Sequence, residues 1–276
     1  MNNNLKKINN NLNKMSNNRT KDTGFIITVI VILIVVIVCI IILAVVARNS
    51  LYYSKINNAI SPIIIYQDQK ADKQLDNSKL DNMYNKIKHI ENRSQFSISM
   101  WIYIENWDYN YGKYKIIYER QIKNNGDSEN NDEIYTPVIA LDKFENNLVL
   151  GMTIYDLENN ENNTKNHKFV KFVHKQIPLQ KWVNIVYNIS DQFVSLYLNG
   201  YIKNKYYLDN IFYQKGSDQQ YEYDVLGKGR NRLDDKKNSK SENSGFSGRI
   251  SKLQYFAKNL NNEEIQKIYE NGPYID

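Results

Sequence analysis

The feature that most constrains this chain is an apolar run from Phe25 to Ala47, which carries no charged side chain. At about 1.5 Å per residue, a helix of this length crosses the roughly 30 Å hydrocarbon core of a bilayer. A helix also satisfies every backbone N–H and C=O within its own segment, as lipid requires. A core helix would carry a polar face, and the apolar part of a signal peptide is shorter. The sequence therefore predicts one transmembrane helix.

Charged residues beside this run predict its orientation. Basic residues are frequent before it, whereas the matching stretch after it holds only Arg48 and Lys55. The preceding basic residues are Lys6, Lys7, Lys14, Arg19 and Lys21. The positive-inside rule then places the N-terminus in the cytoplasm and the C-terminal domain outside the cell or in a lumen. Residues 1–24 are rich in Asn and nearly free of aromatic residues, so we expect a disordered tail.

The net charge of +6 belongs mainly to this tail, which leaves the C-terminal domain nearly neutral. A neutral domain lacks the basic footprint of a nucleic-acid binder, so the expected partners are the lipid bilayer and a glycan or protein ligand. Cys39, the single cysteine, lies within the apolar run. The C-terminal domain therefore has no disulfide, no thiol nucleophile and no cysteine-based zinc site.

After a connector, residues 48–61, the chain shows the two-residue period of β-strands. From Phe96 to Glu105, apolar residues alternate with mostly polar or aromatic ones, which predicts a half-buried strand. A polar stretch, 68–93, is expected to form a loop or a short helix. Other predicted strands, in chain order, are 62–66, 115–119, 138–141, 148–155 and 169–174.

A double hairpin is the strongest local signal. Strands are predicted at 182–189, 193–198 and 201–208, with a turn at 190–192. Asn199-Gly200 joins the last two strands, and this pair tolerates the positive φ angles of a type I′ turn. Tandem antiparallel hairpins with short turns are typical of a β-sandwich.

One amphipathic helix is predicted near the C-terminus. Asn261 and Glu264 have the spacing of a capping box, and Gly272 is expected to end the helix. A hydrophobic staple of Leu260 and Ile265 and a buried stripe complete the pattern. The stripe consists of Ile265, Ile268 and Tyr269. We expect this helix to dock on the sandwich.

Six segments in this order resemble the laminin-G-like jelly roll of the concanavalin-A-like lectin/glucanase superfamily, over about residues 62–276. They are Phe96–Trp101, Ile177–Trp182, Val194–Gly200, Gly245–Ile250, Leu260–Ile265 and Tyr269–Gly272. The resemblance implies an antiparallel β-sandwich with a short C-terminal helix. Membrane-anchored versions with such a composition resemble proteins of large DNA viruses, which implies a virion membrane as the location.

The same superfamily includes glycan hydrolases, which resemble one another in an acid–x–acid–x–acid pattern on one strand. Glu222-Tyr-Asp224 is the nearest approach here, but Leu226 stands where the third acid would be. The acidic stretch 129–133 lies in an Asn- and Asp-rich loop. Because retaining hydrolysis needs a pair of carboxyl groups about 5 Å apart, we expect no enzymatic activity.

We expect that the chain requires no cofactor. Laminin-G-like domains often bind calcium at a loop rim through aspartate side chains, so the resemblance makes calcium a candidate ligand. The candidate oxygen donors are Asp108, Asp142, Asp191 and Asp224. None has a recognised ligand spacing. The alternative is that each carboxylate bonds to the backbone of its own turn.

Aromatic residues are concentrated in one segment and form the candidate ligand-binding set. These are Trp101, Tyr103, Trp107 and Tyr109. Exposed rings can stack on sugars or anchor a protein partner. Trp101 and Tyr103 lie on the face of their strand opposite the apolar row, which a simple sandwich would expose. The alternative is that they pack under a loop or under the terminal helix.

These observations favour a non-enzymatic, single-pass membrane protein whose sandwich recognises a glycan or a protein. A second hypothesis is a structural protein of a viral envelope or inner membrane. A third is a glycan hydrolase, which the missing acid disfavours.

Overall fold

A computed structural model of the chain describes residues 30–48, 69–72, 95–124, 134–156, 167–214, 216, 219–227, 233 and 245–274. The chain divides into two compact units, residues 1–58 and 59–276. The predicted tail, most of the connector, the strand at 62–66 and most of the polar stretch 68–93 lie outside the described residues.

The first unit contains helix α1, Ile30–Arg48. By length and composition this helix can cross a membrane, and its side chains are exposed throughout. A signal sequence near an N-terminus has the same character. The described helix covers residues 30–47 of the run predicted to span the membrane, together with Arg48, and residues 25–29 of that run lie outside the described residues.

The second unit is mainly β and forms a sandwich of two antiparallel sheets. Sheet A has six strands in the order β1–β11–β2–β7–β8–β9, and sheet B has five in the order β10–β3–β4–β5–β6. The strands are β1 (Gln69–Lys70), β2 (Phe96–Asn106), β3 (Lys115–Asn124), β4 (Ile134–Leu141), β5 (Leu148–Tyr155), β6 (His167–His174), β7 (Trp182–Ile189), β8 (Phe193–Leu198), β9 (Tyr201–Tyr207), β10 (Gln219–Val225) and β11 (Ser247–Phe256). A short helix, α2 (Asn262–Glu270), follows β11.

The core lies between the two sheets and is built from the alternate residues that the two-residue period selects. Strand β2 contributes a fully buried row, and β5 contributes the facing row. The first row is Phe96, Ile98, Met100, Ile102 and Ile104; the second is Leu148, Leu150, Met152 and Ile154. Burial of such rows from two facing sheets is the main favourable term for a sandwich.

The double hairpin is confirmed, with the predicted bounds of β7 and β8 and a β9 that ends one residue earlier. Asn199 and Gly200 have φ angles of 51° and 81°, as a type I′ turn requires. Leu198 pairs with Tyr201 across this turn. The register therefore places Val194, Leu196 and Leu198 in the core.

Helix α2 begins and ends as predicted. Asn261 accepts from the backbone N–H of Glu264, and the Glu264 side chain accepts from the backbone N–H of Asn261. Gly272 follows the helix with a φ angle of 62°. Two hydrogen bonds hold the residue before the helix cap against sheet A: Asn188 Nδ2 donates to Leu260 O at 2.7 Å, and Leu260 N donates to Ser97 Oγ at 3.2 Å.

The expectation of a half-buried β2 is wrong, because this strand is buried on both faces over most of its length. Its second face carries Ser97, Ser99 and Trp101, all of which are buried. Trp101 stacks on Tyr269 of α2, with ring centroids 5.7 Å apart and planes 15° apart. The terminal helix covers a face that the alternation alone assigns to solvent.

Strands β1, β10 and β11 were not predicted from the sequence, and β1 lies at the start of the stretch 68–93 that was expected to form a loop or a short helix. Strand β11 pairs with β2 through a bulge at Ser247 and Gly248. At Gly248 an added Cβ would lie 1.9 Å from the carbonyl oxygen of Tyr103, so the backbones approach too closely for a side chain.

Candidate functional site

Two loops at one end of the sandwich form the candidate site. The loop rim consists of residues 107–114, between β2 and β3, and 142–147, between β4 and β5. Asn110 and Gly112 have φ angles of 55° and 79°, which fold the first loop back on itself. Gly112 N donates to Lys143 O at 3.1 Å and joins the two loops. The rim is therefore held by backbone bonds.

Each loop presents one exposed aromatic ring at this junction. Tyr111 is 61% exposed and Phe144 is 56% exposed. Their ring centroids lie 5.4 Å apart with planes at 71°, an edge-to-face contact. Such a pair prefers this arrangement because the edge of one ring faces the electron-rich face of the other. The rim thus presents two exposed aromatic rings that contact each other.

Lys115, the first residue of β3, lies at the base of the rim and is 1% exposed. Its Nζ donates to the backbone oxygen of Asp142 at 3.1 Å and lies 4.6 Å from the centroid of the Trp107 ring. Burial lowers the pKa of the Lys115 ammonium to about 8, although Asp142 and Asp108 act in the opposite direction. Lys115 is therefore a buried amine that releases its proton at a lower pH than an ordinary lysine does.

Asp142 bonds to its own loop. Its Oδ1 accepts from the backbone N–H groups of Phe144 at 3.0 Å and Glu145 at 3.3 Å. This is the turn geometry that the sequence offered as the alternative to metal binding. It also fixes the backbone of Phe144, so the carboxylate supports the exposed ring.

Two further segments of the chain support the first loop from behind. Asn110 Nδ2 donates to Gly245 O at 3.5 Å, and the Tyr109 hydroxyl donates to Asp72 O at 3.5 Å. Burial, followed by the nearby Asp72 carboxylate, raises the pKa of Tyr109. Tyr109 therefore stays protonated and serves as a hydrogen-bond donor within the rim.

Comparison of the sequence with models of protein families and with curated proteins finds no match. Comparison with solved structures finds binding domains of botulinum neurotoxins. The serotype G binding domain has a TM-score of 0.40 and 16% identity, over 64% of this chain and 36% of that one. The serotype D ligand-binding domain in complex with N-acetylneuraminic acid has a TM-score of 0.36 and 16% identity, over 65% and 37%.

A third structure, the binding domain of botulinum neurotoxin DC in complex with rat synaptotagmin II, has a TM-score of 0.38 and 19% identity. It is matched over 68% of this chain and 38% of that one. This chain thus spans less than two fifths of the length of these three domains.

The structure separates the four predicted ligand-binding aromatics. Trp101 is 4% exposed and stacks on Tyr269 of α2, so of the two alternatives for this ring the structure shows packing under the terminal helix and not exposure. Tyr103 is half-buried against Trp182, with ring centroids 5.7 Å apart. Trp107 and Tyr109 do lie in the rim, but both are half-buried, and Trp107 packs on the core. These two support the rim and do not form its outer surface.

The four predicted calcium ligands also lie in different places. Asp108 and Asp142 flank Lys115 in the rim, Asp191 is in the β7–β8 turn, and Asp224 is on β10. In the described part of the chain, no group of three acidic, histidine or cysteine residues is arranged to hold a metal ion. At the rim, the Lys115 ammonium bonds to the backbone carbonyl oxygen of Asp142, and backbone carbonyls are among the oxygen ligands of calcium.

The acidic pair of β10 has a neighbour that the linear motif did not show. Asp224 lies directly opposite Glu119 of β3, and Glu222 lies opposite Gln121. Opposite residues share a face, so Glu119, Glu222 and Asp224 lie on one face of sheet B. The Asp224 carboxylate is turned toward Gly227, where an added Cβ would lie 2.1 Å from Oδ2.

Sequence reasoning missed Phe144 and Lys115. Phe144 is a single aromatic residue in an otherwise polar loop, Asp142–Asn147, and such an isolated ring is a signal for an exposed contact. Lys115 precedes Ile116 and Ile117 at the start of a predicted strand. A lysine at such a position usually buries its aliphatic stem and keeps its ammonium in water, so the sequence does not predict a buried ammonium. Only the assembled loops show what surrounds its ammonium.

The lowered pKa of Lys115 predicts a pH dependence of stability. Between about pH 8 and 10.5 the unfolded chain binds the proton and the folded chain releases it, so the free energy of unfolding rises with pH there. We expect a rise of about 1 kcal/mol after screening at the rim. Urea unfolding of the full chain in detergent, followed by tryptophan fluorescence, measures it.

Lys115→Met is the matched control, because it keeps the stem and removes the titrating amine. Tyrosines titrate in the same range and affect both proteins equally, so the difference between the two pH profiles isolates Lys115. Identical slopes in the two proteins would contradict the prediction.

Proposed function

We propose that this chain is a membrane-anchored binding protein whose β-sandwich engages a ligand with the paired rings of the loop rim. The observation that carries the proposal is the exposed pair of Tyr111 and Phe144 on two loops joined by a backbone hydrogen bond. Large exposed aromatic residues on a rigid support are common anchors of binding interfaces, because little conformational entropy is lost on binding.

The angle between the rings favours a protein ligand over a glycan. Stacking on a sugar requires a ring face lying flat on the pyranose, and two rings at 71° cannot both lie flat on one sugar. The pair instead projects as a wedge, which fits an apolar pocket on a partner. A glycan that stacks on one ring is the second candidate.

Anchoring by α1 is part of the same proposal. The apolar run supports it, and the excess of basic residues before the run supports an N-terminus in the cytoplasm. A protease added to sealed vesicles that contain the full chain, and whose outer surface is the non-cytoplasmic one, tests this orientation. Digestion of the sandwich with protection of the tail is expected, and the reverse pattern would contradict it.

Ligand binding is tested with the full chain in detergent micelles on arrays of cell-surface proteins and of glycans. We expect a hit on the protein array, with binding that does not depend on calcium because Lys115 already bonds to the rim carbonyl. Tyr111→Ala combined with Phe144→Ala should weaken that binding by about tenfold or more, as expected for a central aromatic anchor.

The control removes two exposed aromatic rings elsewhere, through Tyr201→Ala and Tyr274→Ala. It should bind like the unaltered chain. An equal loss of binding in both double variants would mean that the loop rim is not the binding site. Absence of any hit on both arrays would overturn the proposed function itself.

A further inference from the structure

Strand β9 forms a free edge of the sandwich. It is the last strand of sheet A and pairs with β8 alone among the described strands. Most of its residues are exposed, and it contains no proline. A bulge at Lys203 interrupts its pairing near the Asn199–Gly200 turn, and the pairing from Asn204 to Tyr207 is regular.

The backbone of the regular part has unpaired groups that face outward. Leu208 N donates to Gln192 O at 2.8 Å, which makes these opposite residues a hydrogen-bonded pair. Pairs alternate along an antiparallel ladder, so the N–H and C=O groups of Tyr207 and Lys205 point away from β8. An added strand can bond to these groups without displacing any existing bond.

The side chains of these two residues form a preorganised charged surface. Lys205 Nζ lies 3.9 Å from the centroid of the Phe193 ring and 5.3 Å from that of Tyr207. Two rings thus hold the ammonium over the outer face of sheet A. Tyr207 itself is 70% exposed. An opposite charge on an added strand would meet a cation that is already in position.

The neighbouring edge of sheet B extends the positive charge. Phe172 of β6 stacks on Tyr206 of β9 with ring centroids 4.8 Å apart, so the two strand edges lie together. Lysines occur at five positions on these two strands and directly after β6: Lys168, Lys171, Lys175, Lys203 and Lys205. The Lys171 ammonium, however, donates to Leu233 O at 3.0 Å. Asp209 is the acidic residue among positions 167–175 and 201–211, and it pairs with Lys168 at 3.3 Å.

Lysines on an edge strand normally prevent pairing with a like-charged strand. A second copy of this chain would bring two positive edges together, whereas an acidic strand would reverse the sign of that interaction. We propose that the β9 edge, residues 204–207, binds an extended acidic segment of a partner protein as an added antiparallel strand. Residues two apart share a face, so the segment carries acidic residues at alternate positions opposite Lys205.

The test uses the full chain in detergent micelles and a fluorescent capped peptide that alternates glutamate with valine, beside its lysine–valine counterpart. Anisotropy should show binding of the glutamate peptide only. Lys203→Glu with Lys205→Glu should weaken that binding by about tenfold and allow the lysine peptide to bind. Hydrogen exchange should show new protection of the Lys205 and Tyr207 amides, with the Tyr206 amide already protected without peptide.

Lys70→Glu with Lys181→Glu is the control, because it makes the same change in net charge at exposed positions outside the edge. It should bind the glutamate peptide like the unaltered chain. Equal weakening in both variants, or no new protection at Lys205 and Tyr207, would overturn the proposal. Light scattering that shows self-association, together with protection of the Lys205 and Tyr207 amides before peptide is added, would also overturn the proposal. The strand added at the β9 edge would then come from a second copy of this chain.

Discussion

Replacement of Trp101 by alanine should lower the free energy of unfolding of the sandwich by about 3–5 kcal/mol. The indole is buried between β2 and α2 and stacks on Tyr269, so its loss leaves a cavity under the helix. Its Nε1 makes no hydrogen bond within the described part of the chain, so the expected loss of stability comes from lost packing and not from a lost hydrogen bond. Urea unfolding of the full chain in detergent measures the change.

Two further variants separate packing from other effects. Trp101→Phe keeps an apolar ring under the helix and should recover most of the stability. Trp182→Ala removes a tryptophan that is only half-buried and whose Nε1 donates to the Tyr274 hydroxyl at 2.9 Å. It should lower the free energy of unfolding by less, about 1–2 kcal/mol.

Ligand binding distinguishes the structural role of Trp101 from the one expected at first. Each folded molecule of Trp101→Ala should bind a rim ligand as the unaltered chain does, because Trp101 is not at the rim. Hydrogen exchange should show faster exchange of the α2 amides, since the helix loses the indole that stacks on Tyr269. A stable protein with unchanged exchange and lost ligand binding would contradict this assignment.

Local patterns predicted those parts of the fold that local chemistry determines. The bounds of β7 and β8, the turn at Asn199–Gly200 and the capping box of α2 depend on residues close in sequence, and all are confirmed. Strand β10 was not predicted because Gln219–Val225 has mixed polar and aromatic residues and pairs at the edge of sheet B. Its partner, β3, lies about a hundred residues away in the chain.

The candidate site was less predictable because non-local contacts build it. The segment Trp107–Tyr114 was recognised as aromatic, but a sequence does not show which rings meet solvent. The bond from Gly112 to Lys143 brings Phe144 beside Tyr111, and it joins loops more than thirty residues apart. Trp101 was misassigned for the same reason, since α2 lies far along the chain from the strand face that it covers.

Replacement of Gly248 by alanine should lower the free energy of unfolding by about 3 kcal/mol or more. Its φ angle of 151° is unfavourable for a residue with a Cβ, and that Cβ would lie 1.9 Å from the carbonyl oxygen of Tyr103. The obstacle is backbone of the central strand β2, which cannot move without disturbing its pairing with β7. The bulge beside Ser247 should therefore be lost or shifted.

Gly272→Ala is the matched control for this second variant. Gly272 also has a positive φ angle, 62°, but an added Cβ would meet nothing within 4 Å. Gly272→Ala should lower the free energy of unfolding by only about 1–2 kcal/mol, the penalty for placing a residue with a Cβ at a positive φ angle. The difference between the two variants in urea unfolding therefore measures the close approach of β11 to β2. Equal losses would mean that backbone conformation alone requires glycine at position 248, and that β2 and β11 tolerate a side chain between them.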